Sequence, residues 1–326
     1  MRQFFSLILF AVIIISPTLN TQSQEERIVI ATTATHVADL ARVIAGDTAD
    51  IINIIGPGLN PHDYRFTERD STYLRQADIV LYSGLGFEGY VEVTLEDFER
   101  QKPVYGVLNV VQEQGVALAS GEEEGLVNSH AWHDPRNWML ATQGLADFLS
   151  HYDPDNADIY QANAEAYIIQ LELLMDWAVE TMNLVPEDER VIVSAHDAFA
   201  YFGYPFNWRL ASVQGINTAD EAGIGEIQAI TNFVIENNIR AIFTESSLPA
   251  DTIEAVVASA QNQGWDVSIG GELLADAMNE PDTYTGNYIG MMHFNITTVV
   301  TAFGYGELIP PFPSELPQPS DFERQS

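Results

Sequence analysis

The chain has 326 residues, 46% of them hydrophobic and 18% charged, a globular composition at a length that favours two domains over one. A net charge of −34, with Lys102 the only lysine, leaves no basic footprint for phosphates and excludes nucleic acid as a partner. The absence of cysteine excludes disulfides and thiolate metal sites, and the plain reading of the charge is an acidic, well-solvated surface.

Arg2, a largely apolar run from Phe4 to Ile15 and a polar spacer have the layout of a signal peptide, placed at residues 1–24, so the protein is expected in the periplasm. Such a run is short for a membrane span, with an uncleaved anchor as the alternative. Without cysteine the chain is not expected to be a lipoprotein. From Ile28 the pattern alternates. Strands at Ile28–Thr32, Ile51–Ile55, Asp78–Tyr82 and Pro103–Val107 are separated by helices at His36–Ala45, Thr67–Gln76 and Tyr90–Arg100, which implies a parallel sheet. The segment Ser120–Gly125, rich in glutamate, reads as a solvated loop, and a helix at Trp138–Ser150 follows.

Asp153 to about Asn183 contains Pro154 at a helix start and no further Pro or Gly, which predicts one continuous helix of roughly 43 Å. Beyond it the alternation restarts, with strands at Arg190–Ser194, Arg209–Val213, Ala241–Thr244 and Trp265–Ile269 and helices at Gly225–Asn237, Thr252–Gln263 and Tyr288–Gly304. The fold class is therefore α/β, two lobes with parallel sheets flanked by helices and joined by one long rigid helix. The expected divisions are 25–152, 153–184 and 185–305, then a proline-rich tail at 306–326, disordered or extended on the surface.

Seven histidines are present, and His62, His130 and His196 fall after strands or in loops, the region where open α/β sheets bind ligands. Loop histidines without a nucleophile point to a metal. Their wide spacing requires a site assembled by the fold. His36 reads as a polar helix-start residue, with a place facing the cleft as the alternative, His151 as a surface residue and His293 as a packed or solvated one.

The blocks GPGLNPHDY, SHAW, SAHDAFAYFG, IFTESSLP and GGELLADAM occur in this order. Together they resemble the metal-binding solute-binding proteins of zinc and manganese ABC importers, the cluster A-I (cluster 9) family, over nearly the whole chain from Ile28 to about Gly304. The resemblance implies metal ligands at His62, His130, His196 and Asp276, with the metal site in the cleft between lobes. The usual acidic residue and proline before the second ligand are replaced by Asn128 and Ser129, and His133 is the rival for that position. Glu245 matches a recurrent family acid, either supporting a ligand or serving as an extra one. The implied cargo is one divalent transition metal ion, Zn²⁺ ahead of Mn²⁺ or Fe²⁺, and the implied partner an ABC-type metal permease, with the protein a monomer and not an enzyme. A zinc buffer without a permease, or a zinc hydrolase with Glu245 as base, are the alternatives.

Overall fold

The computed structural model describes residues 27–119, 126–216, 218 and 222–322. The signal peptide expected at 1–24, the acidic loop at 120–125 and the last four residues of the tail lie outside the described residues. In the first lobe β1 (Ile28–Thr32) leads into α1 (Thr35–Ala45), β2 (Ala49–Asn53), α2 (Glu68–Gln76), β3 (Ile79–Tyr82), α3 (Tyr90–Glu99), β4 (Val104–Gly106) and a short α4 (Asn109–Glu113). The four strands are parallel, in the order β2-β1-β3-β4. Strands such as the buried run Ile79–Leu81 of β3 are apolar on both faces because helices cover the sheet on both sides.

Helix α2 opens with a capping box in which Thr67 and Asp70 exchange side-chain and backbone hydrogen bonds. The Asp70 carboxylate also accepts the Tyr64 hydroxyl at 2.9 Å, so the cap that starts the helix anchors the loop before it. At the other end Lys102 donates to the carbonyls of Leu74, Arg75 and Ala77, satisfying groups that the last helical turn leaves open.

Helix α5 (Pro135–Tyr152) runs into the long α6 (Ala157–Met182) through one 3₁₀ turn at Pro154–Asn156. The helix expected from Asp153 thus begins four residues later. Asp153 holds the turn by accepting from Asn156 Nδ2 and the Tyr160 hydroxyl, each at 2.7 Å. Buried Tyr160, Ala164, Tyr167, Leu171, Leu174 and Ala178 recur at three- and four-residue steps along one stripe of α6. That stripe packs on α5 and α1 of the first lobe and on α10 of the second.

The second lobe runs β5 (Val191–Ser194), α7 (Ala200–Gly203), β6 (Arg209–Ser212), α8 (Ile224–Glu236), β7 (Ala241–Glu245), α9 (Asp251–Asn262), β8 (Ser268–Leu273) and α10 (Tyr288–Ala302). β5 pairs with β6 and β7 with β8, all parallel, and β5 lies beside β7, which repeats the order of the first lobe. The last strand differs from expectation, lying at Ser268–Leu273 rather than Trp265–Ile269. Gly270 and Gly271 read as a strand end, yet they form its interior because a Cβ on Gly270 would stand 2.7 Å from Ala302 and one on Gly271 2.5 Å from Thr298, both on α10. The tail is ordered through α11 (Pro319–Phe322). Leu316 is buried, Phe312 packs on Trp177 and His293, and Trp177 Nε1 donates to the Pro310 carbonyl, which corrects the expectation of disorder.

Candidate metal centre

The two sheets face each other with the carboxyl ends of their strands, and the chain leaves several of those ends carrying a polar side chain. His196 lies two residues beyond β5, Glu245 closes β7 and Asp276 lies three residues beyond β8. His62 sits in the long loop after β2, held on one side by the Tyr64–Asp70 bond. On the other side lies the loop after β3, where Gly89 adopts φ +45° and a Cβ would stand 2.8 Å from the His62 carbonyl. The β3 loop is tied together by the buried Glu88 carboxyl, which accepts from Thr33 Oγ1 at 2.5 Å and from the Ser83 and Gly84 backbone. Burial, then the neighbouring Glu92, pushes its pKa up to about 8. His130 precedes a 3₁₀ turn, Ala131–His133, that feeds α5, whose N-cap Asp134 is gripped by Arg136.

The fold brings His62, His130, His196 and Asp276 together, one donor atom from each lying within 4.8 Å of the others, and all four are buried. His130 Nε2 is 3.2 Å from His62 Nε2 and 3.3 Å from His196 Nε2. Asp276 Oδ1 lies 3.2, 3.3 and 3.8 Å from the Nε2 atoms of His196, His130 and His62. A cation with four ligands at about 2.0–2.1 Å places them about 3.3–3.4 Å apart, so this donor set fits one divalent metal ion. Asp276 Oδ1 has no hydrogen-bond partner, whereas Oδ2 accepts from Ser247 Oγ at 3.0 Å.

The surrounding groups set the tautomers. His196 Nδ1–H donates to Glu245 Oε2, and Glu245 Oε1 accepts the His196 backbone N–H at 2.9 Å. His130 Nδ1–H donates to Asn128 Oδ1 at 3.0 Å. In the neutral form of either ring the proton then sits on Nδ1 and Nε2 presents its lone pair to the cluster, the form that ligates. Burial drives His130 down to about 3, against the pull of Asp276. At His196 burial pushes the same way, but Asp276 and Glu245 on its two sides outweigh it and hold the pKa well above the ordinary value. Burial would raise Asp276, yet His196 and His62 hold it well below the carboxylate range.

The other expected residues fall elsewhere. Glu245 faces Nδ1 of His196, the side away from the cluster, and so steadies a cluster residue without joining the cluster. His133 lies outside the cluster and points its Nε2–H at the Ala275 carbonyl, 3.1 Å away, steadying the segment that carries Asp276. His36 lies in the first turn of α1, as expected, and is buried there, stacked on Trp132 with ring centroids 4.2 Å apart and bonded to Ser83. His293 packs among Trp177, Tyr284 and Phe312, and His151 is exposed. Sequence reasoning assigned no role to Asn60, Ser247 or Phe87, whose ring packs on His62 and His130. The one signal for the first was the repeated spacing of Asn60 to His62 and Asn128 to His130.

The sequence profile of a family described as zinc-uptake complex component A, periplasmic, matches residues 30–302. The manganese-binding lipoprotein MntA of Bacillus subtilis is 34% identical over 281 residues, spanning 86% of this chain and 91% of that protein. The zinc-binding protein TroA of Treponema pallidum is 32% identical over 273 residues, spanning 84% and 88%. The solved structure of TroA superposes with a TM-score of 0.82 at 31% identity, covering 85% of this chain and 99% of that one. The iron-binding protein YfeA of Yersinia pestis is 26% identical over 303 residues, 92% of this chain and 95% of its own.

Proposed function

The chain belongs to the zinc-uptake complex component A family, extracytoplasmic metal-binding proteins of ABC importers, and from that premise we propose that it captures one Zn²⁺ ion between its lobes and delivers it to a membrane permease. It is a binding protein and not an enzyme, as its relatives are. The proposed ligands are His62, His130, His196 and Asp276, and the proposed divisions are 25–152, 153–184, 185–305 and 306–326.

One observation carries the choice of zinc. Asp276 Oδ1 is the oxygen that lies against the three imidazoles while Oδ2 accepts from Ser247, which favours one carboxylate oxygen beside three imidazoles, a four-ligand set of zinc type. Two-oxygen binding by Asp276 would instead have raised the ligand count toward what Mn²⁺ accepts. The manganese relative keeps Mn²⁺ as the second reading.

Among the described residues no helix is long and apolar enough to cross a membrane. Relatives such as MntA are named lipoproteins, against the expectation of no lipid anchor, which rested on the absence of cysteine from the 326 residues. We take the receptor to be monomeric.

Elemental analysis after purification without added metal should find about one Zn²⁺ per chain, and Zn²⁺ should displace Mn²⁺ in direct competition. At a free ion concentration of 100 Kd, binding adds about 2.7 kcal/mol to stability, and His196→Ala should abolish most of the resulting rise in Tm. A full rise in the variant would remove the second lobe from the site, and preferential retention of Mn²⁺ would reverse the metal assignment.

A further inference from the structure

Two segments of the first lobe repeat one device. In Asn60-Pro61-His62, Asn60 Oδ1 accepts the His62 backbone N–H at 3.0 Å while Asn60 Nδ2 donates to Thr218 Oγ1 at 2.8 Å. In Asn128-Ser129-His130, Asn128 Oδ1 accepts the backbone N–H and the Nδ1–H of His130, both at 3.0 Å, while Asn128 Nδ2 donates to the Asp197 carbonyl at 3.2 Å. Thr218 and Asp197 belong to the opposite lobe, and Asp197 directly follows His196. Each amide therefore holds a first-lobe histidine with its oxygen and the second lobe with its nitrogen.

Other bonds cross the cleft without this sharing. The His133 ring reaches the Ala275 carbonyl, and Thr35 Oγ1 accepts the Met278 backbone N–H at 2.8 Å, but neither side chain also bonds one of the four cluster residues. The residue type matters as well. A side-chain amide carries an acceptor and a donor on one planar group, whereas a carboxylate in the same place could steady the histidine but could not donate across the cleft.

We propose that Asn60 and Asn128 are positioning residues that act as paired latches, making correct placement of His62 and His130 and closure of the two lobes a single event. The inference rests on the metal-capture reading of the same site. When a histidine swings away from the ion, its amide turns with it and the cross-cleft bond is lost. Conversely, severing the cross-cleft bond frees the amide and loosens the histidine, so that metal is released faster. One neutral hydrogen bond in such a coupling corresponds to roughly a fivefold change in rate.

The test is the rate at which Zn²⁺ passes from the loaded protein to a chromophoric chelator, measured for wild type, Asn128→Asp and Thr218→Val. Asn128→Asp keeps the acceptor for His130 and removes only the donor to Asp197, while Thr218→Val removes the far partner of Asn60 and leaves Asn60 and His62 untouched. Each variant should release Zn²⁺ roughly fivefold faster or more. A purely local role for Asn128 makes the opposite forecast, because a carboxylate on Nδ1 strengthens the imidazole as a ligand and slows release. Release from either variant at the wild-type rate or slower overturns the latch on that side. Should Asn128→Asp fail to fold by circular dichroism, the paired latch is judged on Thr218→Val, whose release of Zn²⁺ at the wild-type rate or slower overturns it. Wild-type protein that takes up no Zn²⁺ overturns the capture reading and the latch together, whereas normal uptake with unchanged release in the variants overturns the latch alone.

Discussion

His36 shows what burial does to a single imidazole in this protein. It lies between Trp132 and Phe87, bonded to Ser83 Oγ at 2.9 Å, and burial, then the field of His133, lowers its pKa to about 3. The ordinary value of about 6.5 applies once the chain unfolds. Between these values the unfolded chain binds more protons than the folded one, so the contribution of neutral His36 is complete above pH 6.5 and is lost as the pH falls toward 3. Acidification from pH 7 to pH 5 should cost about 2 kcal/mol through this residue. Urea unfolding of His36→Gln at the two pH values should show a loss smaller by about that amount, and equal losses in both proteins would mean that the proton is accommodated. His62, His130, His196 and Asp276 could be named from their flanking blocks, because each block is local in sequence. The burial of His36 could not be read that way, since it depends on Trp132 and Ser83, which lie far along the chain. Nor could the bond of Ser247 to Asp276, although both residues sit within blocks that were recognised.

Helix α6 owes its existence to a local pattern and its rigidity to its neighbours. Freedom from internal Pro and Gly made the helix legible, and the three- and four-residue spacing of its buried side chains marked the face that would pack. The partners of that face were not legible. Leu171 and Leu174 are fully buried in a cluster that also holds Leu40 from α1 and Val299 from α10. Leu171→Ala should destabilise the protein by about 2–5 kcal/mol, measured by urea unfolding, because helices held from both sides cannot collapse into the space left behind. A cost under about 1 kcal/mol would show that α6 is loosely seated. The same dependence on neighbours explains β8, where paired glycines look like a break until α10 is laid across them. It also explains the tail, whose prolines suggest disorder until Phe312 and Leu316 find apolar seats against α6 and α10.

At the scale of the whole molecule, one continuous apolar cluster runs from Ile30 and Leu81 in the first lobe through α6 to Phe243 and Leu273 in the second. A large rotation of one lobe against the other would tear that cluster, so metal release is expected through a small tilt and through local movement of the loops carrying the four cluster residues. The radius of gyration in solution scattering, about 19 Å for a compact chain of ~300 residues, should change by less than about 1 Å on removing metal. A larger change would show that α6 is not the constraint its packing indicates. The sequence by itself determined the two α/β lobes, the long helix between them and the blocks that carry the candidate ligands, since propensity, periodicity and short motifs act over a few residues. Only the tertiary structure decided that three histidine nitrogens and one carboxylate oxygen converge within 4.8 Å, that Ser247 bonds the second oxygen of Asp276, and that two asparagines reach across the cleft. Those contacts join residues from 29 to more than 150 positions apart, and no local preference encodes a distance that the packing of both lobes on α6 must set.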